Sequence, residues 1–198
     1  MATEPPSHSW RPDPQRDVVV DGTILRALSH PMRNQIVMLL RQHGPSTATG
    51  LAKRLGVNTG ATRYHLRQLA EAGLVLEDET RGNARDRWWK AAHRGSYFDE
   101  SLFGTEPELA GAYLHGIAQT YAQNMVRYID EIPTLPEAWQ RAADMSDFTF
   151  HLTAGQLEAM GEELRLVLDR YRTDTDDPHP RGARRVTVQL QAFPQEGR

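Results

Sequence analysis

The stretch from Ser46 to Val75, STATGLAKRLGVNTGATRYHLRQLAEAGLV, predicts two short helices joined by a tight turn. On the first helix, Leu51, Ala52 and Leu55 form an apolar stripe at helical spacing. Gly56 follows and is expected to end this helix, because glycine adopts the left-handed cap conformation without steric cost. The remaining residues of the stretch then begin a second helix with a different surface.

That second helix is predicted over residues 58–72, with Asn58 or Thr59 as its N-cap. Its inward face has Thr62, Leu66 and Leu69 at spacings of four and three. The opposite face combines small, basic and aromatic residues, namely Thr59, Gly60, Arg63, Tyr64 and Arg67. Two short helices with a glycine in the turn, the second of them basic, are typical of a DNA-binding helix-turn-helix.

A β-hairpin is predicted directly after this helix and forms a wing over residues 76–90. Its strands are Leu74–Leu76 and Trp88–Ala91, and the polar segment EDETRGNARDR turns between them. Arg81, Arg85 and Arg87 lie on or near the tip, where they are expected to reach a minor groove or a phosphate. A hairpin in this position indicates a winged helix.

The charge distribution agrees with this interpretation. The 198 residues carry a net charge of −3, which by itself argues against nucleic acid. Between Thr23 and Arg94, however, 12 Lys and Arg residues face 5 Asp and Glu residues, so this segment carries +7 and leaves −10 for the rest. A basic module beside an acidic remainder is the asymmetry expected of a DNA-binding protein.

Helices are also predicted over Thr23–Ser29 and Pro31–His43. The segments LSHPMRNQIVMLLRQHG and TATGLAKRLGVNTGATRYHLRQLAEAGLV together resemble the arsenical-repressor (ArsR) type of winged-helix transcription regulator over about residues 23–93. The resemblance implies a homodimeric repressor or activator whose second helix enters the major groove. Metal-sensing members carry a cysteine motif where this chain has LAKRL, and the chain has no cysteine, so their thiolate chemistry does not transfer.

Within the predicted interface, Arg63 is the first choice for a base contact, because its planar fork matches guanine O6 and N7. Thr59 and Gly60 allow close backbone approach at a helix N-terminus. Tyr64 and Arg67 are expected to hold phosphates, as are Lys53 and Arg54 on the preceding helix. Asn58 completes the predicted set. His65 either packs inward beside the wing or reaches a phosphate, and the structural role is favoured.

Beyond Ser96, a long helix is predicted from Pro107 to Ile132. In related regulators the helix after the wing and the first helix form the dimer interface. The residues expected there are Ile24, Leu28, Leu114, Ile117, Tyr121, Met125 and Tyr128. The alternative is a helix packed only within its own subunit.

The last third of the chain predicts a small strand-helix-strand region. Its strands are Asp147–Leu152 and Arg185–Phe193, and its helix follows Thr153. The fold class is therefore α+β, mainly α. The predicted domains are a flexible arm (1–17), a winged helix-turn-helix (18–95), a dimerisation helix (96–133) and a regulatory C-terminal region (134–198). Aromatic residues of the C-terminal half line an effector pocket or belong to the core: Tyr113, Tyr121, Trp139, Phe148 and Phe150.

Several function classes find no support in the sequence. It has no apolar run long enough for a membrane span, no signal peptide, no phosphate loop and no nucleophile elbow, and its eight histidines are scattered. We therefore expect a cytoplasmic protein that is not an enzyme and has no metal or cofactor. Its expected partners are double-stranded DNA, a second copy and a small-molecule effector. The alternative hypothesis is a winged helix that binds another protein.

Overall fold

The computed structural model describes residues 11–81, 87–171 and 180–195. The chain divides into two units, one over Pro12–Pro133 and one that includes Thr134–Arg198. In the first, the elements are β1 (Asp17–Val20), α1 (Gly22–Leu28), α2 (Pro31–His43), β2 (Ser46–Thr47), α3 (Ala48–Leu55), α4 (Thr59–Glu71), β3 (Val75–Glu77), β4 (Trp88–Ala91), β5 (Gly95–Phe98), α5 (Leu102–Thr105) and α6 (Pro107–Glu131). In the second they are α7 (Glu137–Ala142) and α8 (Ala154–Asp169). No helix in the described part of the chain is long and apolar enough to cross a membrane.

The helix-turn-helix forms with Gly56 and Asn58 in the roles that the sequence predicts, and Thr47 adds a further cap. Thr47 Oγ1 accepts the Gly50 N–H at 3.1 Å and caps α3. Gly56 follows α3 with a φ of 68°, in the left-handed region that favours glycine. Asn58 Oδ1 accepts the Ala61 N–H at 2.7 Å and caps α4. The relative orientation of the two helices is thus fixed by side-chain caps and one glycine.

The predicted hairpin is confirmed, with its second strand at the predicted bounds and its first strand one residue later than predicted. β3 and β4 pair antiparallel, with Val75 opposite Ala91 and Glu77 opposite Trp89. The strand β2 adds to the far side of β4, which places Ser46 opposite Trp89. This third strand was not predicted, because two residues give no periodicity. Residues 82–86, and with them Arg85, lie outside the described residues.

The structure also has a second, two-stranded sheet that the sequence patterns do not predict. β1 and β5 pair in parallel, from Asp17 opposite Gly95 to Val20 opposite Phe98. Asp17 and Val20 are buried, so the predicted N-terminal arm ends in structure rather than in a flexible segment. The β-branched run VVV favours a strand, but its partner lies far along the chain, and sequence patterns do not identify such pairings.

One core lies under the helix-turn-helix and joins α1, α2, α3, α4, β3 and α6. Its buried members are Val20, Ile24, Leu25, Leu28, Ile36, Val37, Leu40, Ala48, Leu51, Leu66, Leu69, Leu74, Val75, Leu102, Ala110 and Tyr113. The predicted inward residues Thr62, Leu66 and Leu69 of α4 are all fully buried. The hydrophobic effect therefore fixes α4 to the core through its buried face, and the opposite face is exposed to solvent.

The buried guanidinium of Arg41 ties α2 to the segment after β4. It donates to the His93 carbonyl at 2.9 Å, the Gly95 carbonyl at 3.1 Å and Ser96 Oγ at 3.0 Å. Burial lowers the pKa of Arg41 and raises the pKa of the nearby Tyr113 to about 12. The exit of the wing is therefore anchored to α2.

The long helix α6 forms nearly as predicted and has an uneven surface. Ala110, Tyr113 and Thr120 are buried, and Tyr113 stacks on Phe98 with ring centroids 5.8 Å apart. Toward the C-terminal end the apolar residues Met125, Val126 and Ile129 are exposed. The first half of α6 thus belongs to the core of its own chain, and the second half presents apolar side chains outward.

In the second unit the predicted helix is confirmed and the predicted strands are wrong. α8 begins at a capping box between Thr153 and Gln156. Residues 147–152 and 185–193 are described and form neither strand nor helix. An alternating apolar pattern forms a strand only where a neighbouring strand pairs with it and an apolar surface covers one face. Here the apolar residues are exposed, namely Phe148, Phe150, Val186 and Val188.

Candidate nucleic-acid interface

The surface of α4 and the wing enclose an open groove of about 630 Å³. Its wall on one side is α4, and on the other side it is the N-terminus of α3 with the start of the wing strand β4. The lining residues are Thr47, Ala48, Thr49, Gly60, Arg63, Tyr64, Arg67, Arg87 and Trp89. Three arginines in one open groove make a strongly electropositive surface.

The α4 wall holds four residues that the sequence analysis selected. Gly60 lies in the first turn of α4, and Arg63, Tyr64 and Arg67 follow at spacings that keep them on one face. Tyr64 is 51% exposed, and the Arg67 guanidinium lies 5.8 Å from the centre of its ring. Arg67 also pairs with Glu71, Nε to Oε1 at 3.8 Å. An exposed pair of this kind is weak, so Arg67 can exchange it for a phosphate.

The α3 wall was not identified from the sequence. Thr47, Ala48 and Thr49 lie where α3 begins, so the N-terminal end of that helix and two threonines border the groove. A helix N-terminus with hydroxyl donors is a favourable environment for an anion. The hydroxyl-rich run Ser46–Thr49 was the available signal.

The wing contributes Arg87 and Trp89. Arg87 Nε lies 3.7 Å from Glu77 Oε1 across the hairpin, and its side chain is largely exposed. Trp89 is half-buried and packs against the core as well as lining the groove. Its position follows from pairing with Ser46, which requires the tertiary structure and could not be read from the hairpin alone.

Other predicted contacts lie outside this groove. Arg81 is paired with the buried carboxylate of Asp78, Nε to Oδ2 at 3.4 Å. The Thr80 hydroxyl, which donates to Asp78, lowers the pKa of that carboxyl group. Lys53 and Arg54 are exposed in the last turn of α3, away from its N-terminus. Asn58 and Thr59 begin α4, and the Asn58 side chain is engaged as the cap.

His65 points inward, which agrees with its favoured structural role. It is 8% exposed, and its ring centre lies 4.5 Å from that of His30 at the start of α2. Burial, together with His30 and Arg33, lowers the pKa of His65. His65 therefore lies behind the groove and not in it.

The residues predicted for dimerisation differ in accessibility. Ile24 and Leu28 are buried in their own chain, and Leu114 and Ile117 pack partly against the same core. Tyr121 and Tyr128 are half-buried, and Met125 is exposed. The accessible part of this predicted surface is therefore the C-terminal half of α6.

The residues predicted for an effector pocket are likewise divided. Tyr113 is buried in the core of its unit, while Phe148 and Phe150 are exposed and stack on each other with centroids 6.3 Å apart. In the described part of the chain, no three His, Asp or Glu residues are grouped closely enough to hold a metal ion.

Comparison with known proteins matches the segment that supplies most of the groove. Residues 30–76 match the sequence model of the bacterial regulatory protein, arsR family, which agrees with the resemblance that the motifs of this segment predicted. The match ends before the wing is complete and does not reach α6. No curated protein matches the chain.

Three solved structures are similar to parts of the chain. Reduced HlyU from Vibrio cholerae is 26% identical, with 35% of this chain and 68% of that chain covered and a TM-score of 0.31. The homodimeric winged helix-turn-helix DNA-binding domain of Mb0332 from Mycobacterium bovis is 21% identical, with 54% and 81% covered and a TM-score of 0.33. A transcriptional regulator homologue from Pyrococcus horikoshii is 21% identical, with 50% and 87% covered and a TM-score of 0.31. The overall superpositions are weak.

Proposed function

We propose that the chain is a sequence-specific DNA-binding transcription regulator, starting from the match of residues 30–76 to the arsR family. Its α4 enters the major groove, and its wing contacts the flanking backbone. The observation that carries this proposal is the open groove that joins Arg63 and Arg67 of α4 with Arg87 of the wing. The proposed regulator acts as a cytoplasmic homodimer on an inverted repeat, because a two-fold dimer presents two identical α4 helices.

The arrangement supports a division of labour within the groove. Arg63 lies on the exposed face of α4, where a bidentate contact to guanine is geometrically accessible. Arg67, Arg87 and the start of α3 at Thr47 are suited to phosphate oxygens, which fix register without conferring sequence specificity. The +7 charge between Thr23 and Arg94 supplies the attraction that brings the duplex to this surface.

Selection from a random duplex pool with the purified full chain tests the proposal. We expect one recurrent inverted-repeat motif at low salt. The triple variant Arg63→Ala/Arg67→Ala/Arg87→Ala should lose this binding, while Arg141→Ala, an exposed arginine of α7, should retain it. If the wild-type chain enriches no sequence and binds one stable protein partner instead, the protein-interaction alternative replaces this proposal.

Dimerisation through α6 is a separate part of the proposal. It is supported by the exposed apolar residues Met125, Val126 and Ile129. Ile129→Glu should shift the sedimentation coefficient from dimer to monomer and weaken binding to the full operator. Gln119→Glu introduces the same charge at an exposed polar position of α6 and should leave the dimer intact. A wild-type chain that sediments as a monomer at micromolar concentration contradicts this part alone.

A further inference from the structure

The rings of His30 and His65 pack against each other where the start of α2 meets the middle of α4. Their centroids lie 4.5 Å apart, with ring planes inclined by 47°. Tyr64, the neighbour of His65 on α4, meets the His65 ring edge-on at 5.3 Å and also lines the groove. The histidine pair therefore links α2 to the residues of α4 that line the groove.

Both rings are suited to this contact only when they are neutral. His30 Nδ1 accepts the Met32 N–H at 3.2 Å and caps α2, so this nitrogen must carry a lone pair. His65 Nδ1 is buried, and it has no hydrogen-bond partner in the described structure. A proton on His30 Nδ1 would place two N–H donors against each other, and a proton on His65 Nδ1 would bury an unsatisfied donor.

The nearest fixed charge has the sign that opposes protonation. Arg33 of α2 donates to the carbonyls of Ala27 and Arg26 and is held in place by the end of α1. Burial is the main cause that lowers the pKa of both histidines. His30 and Arg33 lower the pKa of His65 further, and Arg33 does the same for His30. A proton on either ring is therefore gained near a guanidinium that two carbonyl groups hold in position.

The other charged groups on the surrounding elements are directed to solvent or paired. Tyr64 of α4 acts on Arg33 and raises the pKa of that guanidinium against the effect of burial. The charged side chains on α3, β3 and α1 are exposed, namely Lys53, Arg54, Glu77 and Arg26. Glu77 pairs with Arg87, and Arg26 pairs with Glu106 at 2.8 Å. Among the described residues, His30 and Arg33 therefore lower the pKa of His65, while Arg33 lowers the pKa of His30 against a backbone hydrogen bond that raises it.

We propose that the contact of His30 with His65 is a proton-sensitive joint that holds α4 in its DNA-binding position at neutral pH and releases it on acidification. This inference rests on the proposed function, since DNA binding is its output. Opening the contact moves α4 relative to α2, and Tyr64 moves with His65. We expect affinity for the specific operator to fall, because the groove loses its shape. The positive charge that the protein gains acts on any duplex and does not restore specificity.

The direction follows from the sign of the pKa shifts. Both folded-state pKa values lie below the ordinary histidine value of 6.5, so the open arrangement binds protons better than the closed one. The contact is fully stabilising above that value and weakens as the pH falls below it. Non-specific attraction to DNA changes in the opposite sense, because added positive charge strengthens it. The informative quantity is therefore the ratio of specific to non-specific affinity.

The test uses the full chain with the operator recovered at about pH 8 and a scrambled duplex of equal length, at about pH 8 and about pH 5.5. We expect the affinity ratio of the wild type to fall about tenfold. His30→Asn retains a capping oxygen and does not titrate, and combined with His65→Gln it should keep the ratio within about twofold. His151→Gln, in the second unit, should fall like the wild type. A constant wild-type ratio, or an equal fall in the double variant, overturns the proposal.

Amide hydrogen exchange without DNA separates this inference from the proposed function. Protection of α4 amides, corrected for the intrinsic rate, should fall about tenfold at the lower pH relative to α6 amides. If no duplex is selected at about pH 8, the proposed function fails while the exchange measurement still judges the joint. If the double variant does not fold, exchange in the wild type and in His30→Asn decides, and unchanged α4 protection in the wild type overturns the joint.

Discussion

The two units of the chain differ in how much apolar surface they cover. Every buried residue in the described structure belongs to Pro12–Pro133, and none of the described residues beyond Pro133 is buried. Phe148 and Val186 are 76% and 66% exposed, whereas Leu66 and Leu69 are fully covered. Apolar residues alone therefore do not produce a core, because a core also needs apolar faces of other elements that pack against them.

The helices α4 and α8 make this difference specific. Each begins at a side-chain cap, Asn58 for α4 and Thr153 for α8, and each has an apolar stripe. Three residues of α4 have no accessible surface, and α8 has no buried residue. Caps and periodicity thus predict that a helix exists, while its contribution to stability depends on what packs against it.

Matched leucine truncations should separate the two helices most strongly. Leu66→Ala removes a fully buried side chain from α4 and should lower the free energy of unfolding by about 2–5 kcal/mol. Leu164→Ala on α8 removes a side chain that is 38% exposed and should cost less than about 1 kcal/mol. Urea unfolding followed by circular dichroism measures both. Equal losses would mean that the second unit has a core of its own.

Matched arginine substitutions are expected to give the next largest difference. Arg41→Met leaves the partly buried carbonyls of His93 and Gly95 without their donor and should cost about 3 kcal/mol. Arg141→Ala breaks an exposed i,i+4 pair with Glu137 and should change stability by no more than about 0.5 kcal/mol. Thermal unfolding compares them. A small effect at Arg41 would contradict an anchoring role for its guanidinium.

Within the groove, Arg63 and Arg67 should differ in kind. Arg63→Ala should cost about 1–3 kcal/mol on the selected operator and relax preference at one base position. Arg67→Ala should weaken all duplexes alike and reduce the slope of log affinity against log salt by about one. Fluorescence anisotropy across a salt series measures both. Identical behaviour of the two variants would remove the assignment of Arg63 to base reading.

Cap removal should give the smallest effect and still distinguish the units. Asn58→Ala removes the acceptor of the Ala61 N–H and should lower global stability by about 1 kcal/mol. Thr153→Ala removes the capping box of α8, but global unfolding of the first unit should be unchanged while helicity falls slightly. A shift of the main transition by Thr153→Ala would show that the two units unfold together.

Local signals explain which parts of the fold could be predicted. α2 and β4 have the predicted bounds. Pro31 marks the start of α2, and a turn followed by two tryptophans marks the start of β4. β1 and β5 escaped prediction because their pairing joins distant residues, and the four-residue α5 is too short for periodicity. The strands predicted at 147–152 and 185–193 are wrong, because alternating apolar residues show only that a segment can pair and not that a partner strand is present.

The candidate site divides in a similar way. Gly60, Arg63, Tyr64 and Arg67 were predicted because one helix sets their spacing, and Arg87 because it borders the hairpin. The α3 wall and Trp89 were missed, since β2 must pair with β4 before these residues come together. Arg81 was assigned by proximity in sequence, while the structure engages it with Asp78. Which of these residues touch DNA stays a prediction.

The parallel pairing of β1 with β5 has a consequence for biosynthesis. Asp17 cannot find its partner until Gly95 has been translated and has left the ribosome, by which time α1 to α4 and the wing are already outside. The helices of the helix-turn-helix can form early from local contacts, but β1 can pair with β5 only after all the residues between them have been synthesised. A chain truncated before Gly95 therefore has a complete α4 but lacks the partner strand of β1, and we expect such a fragment to be the species most exposed to proteolysis.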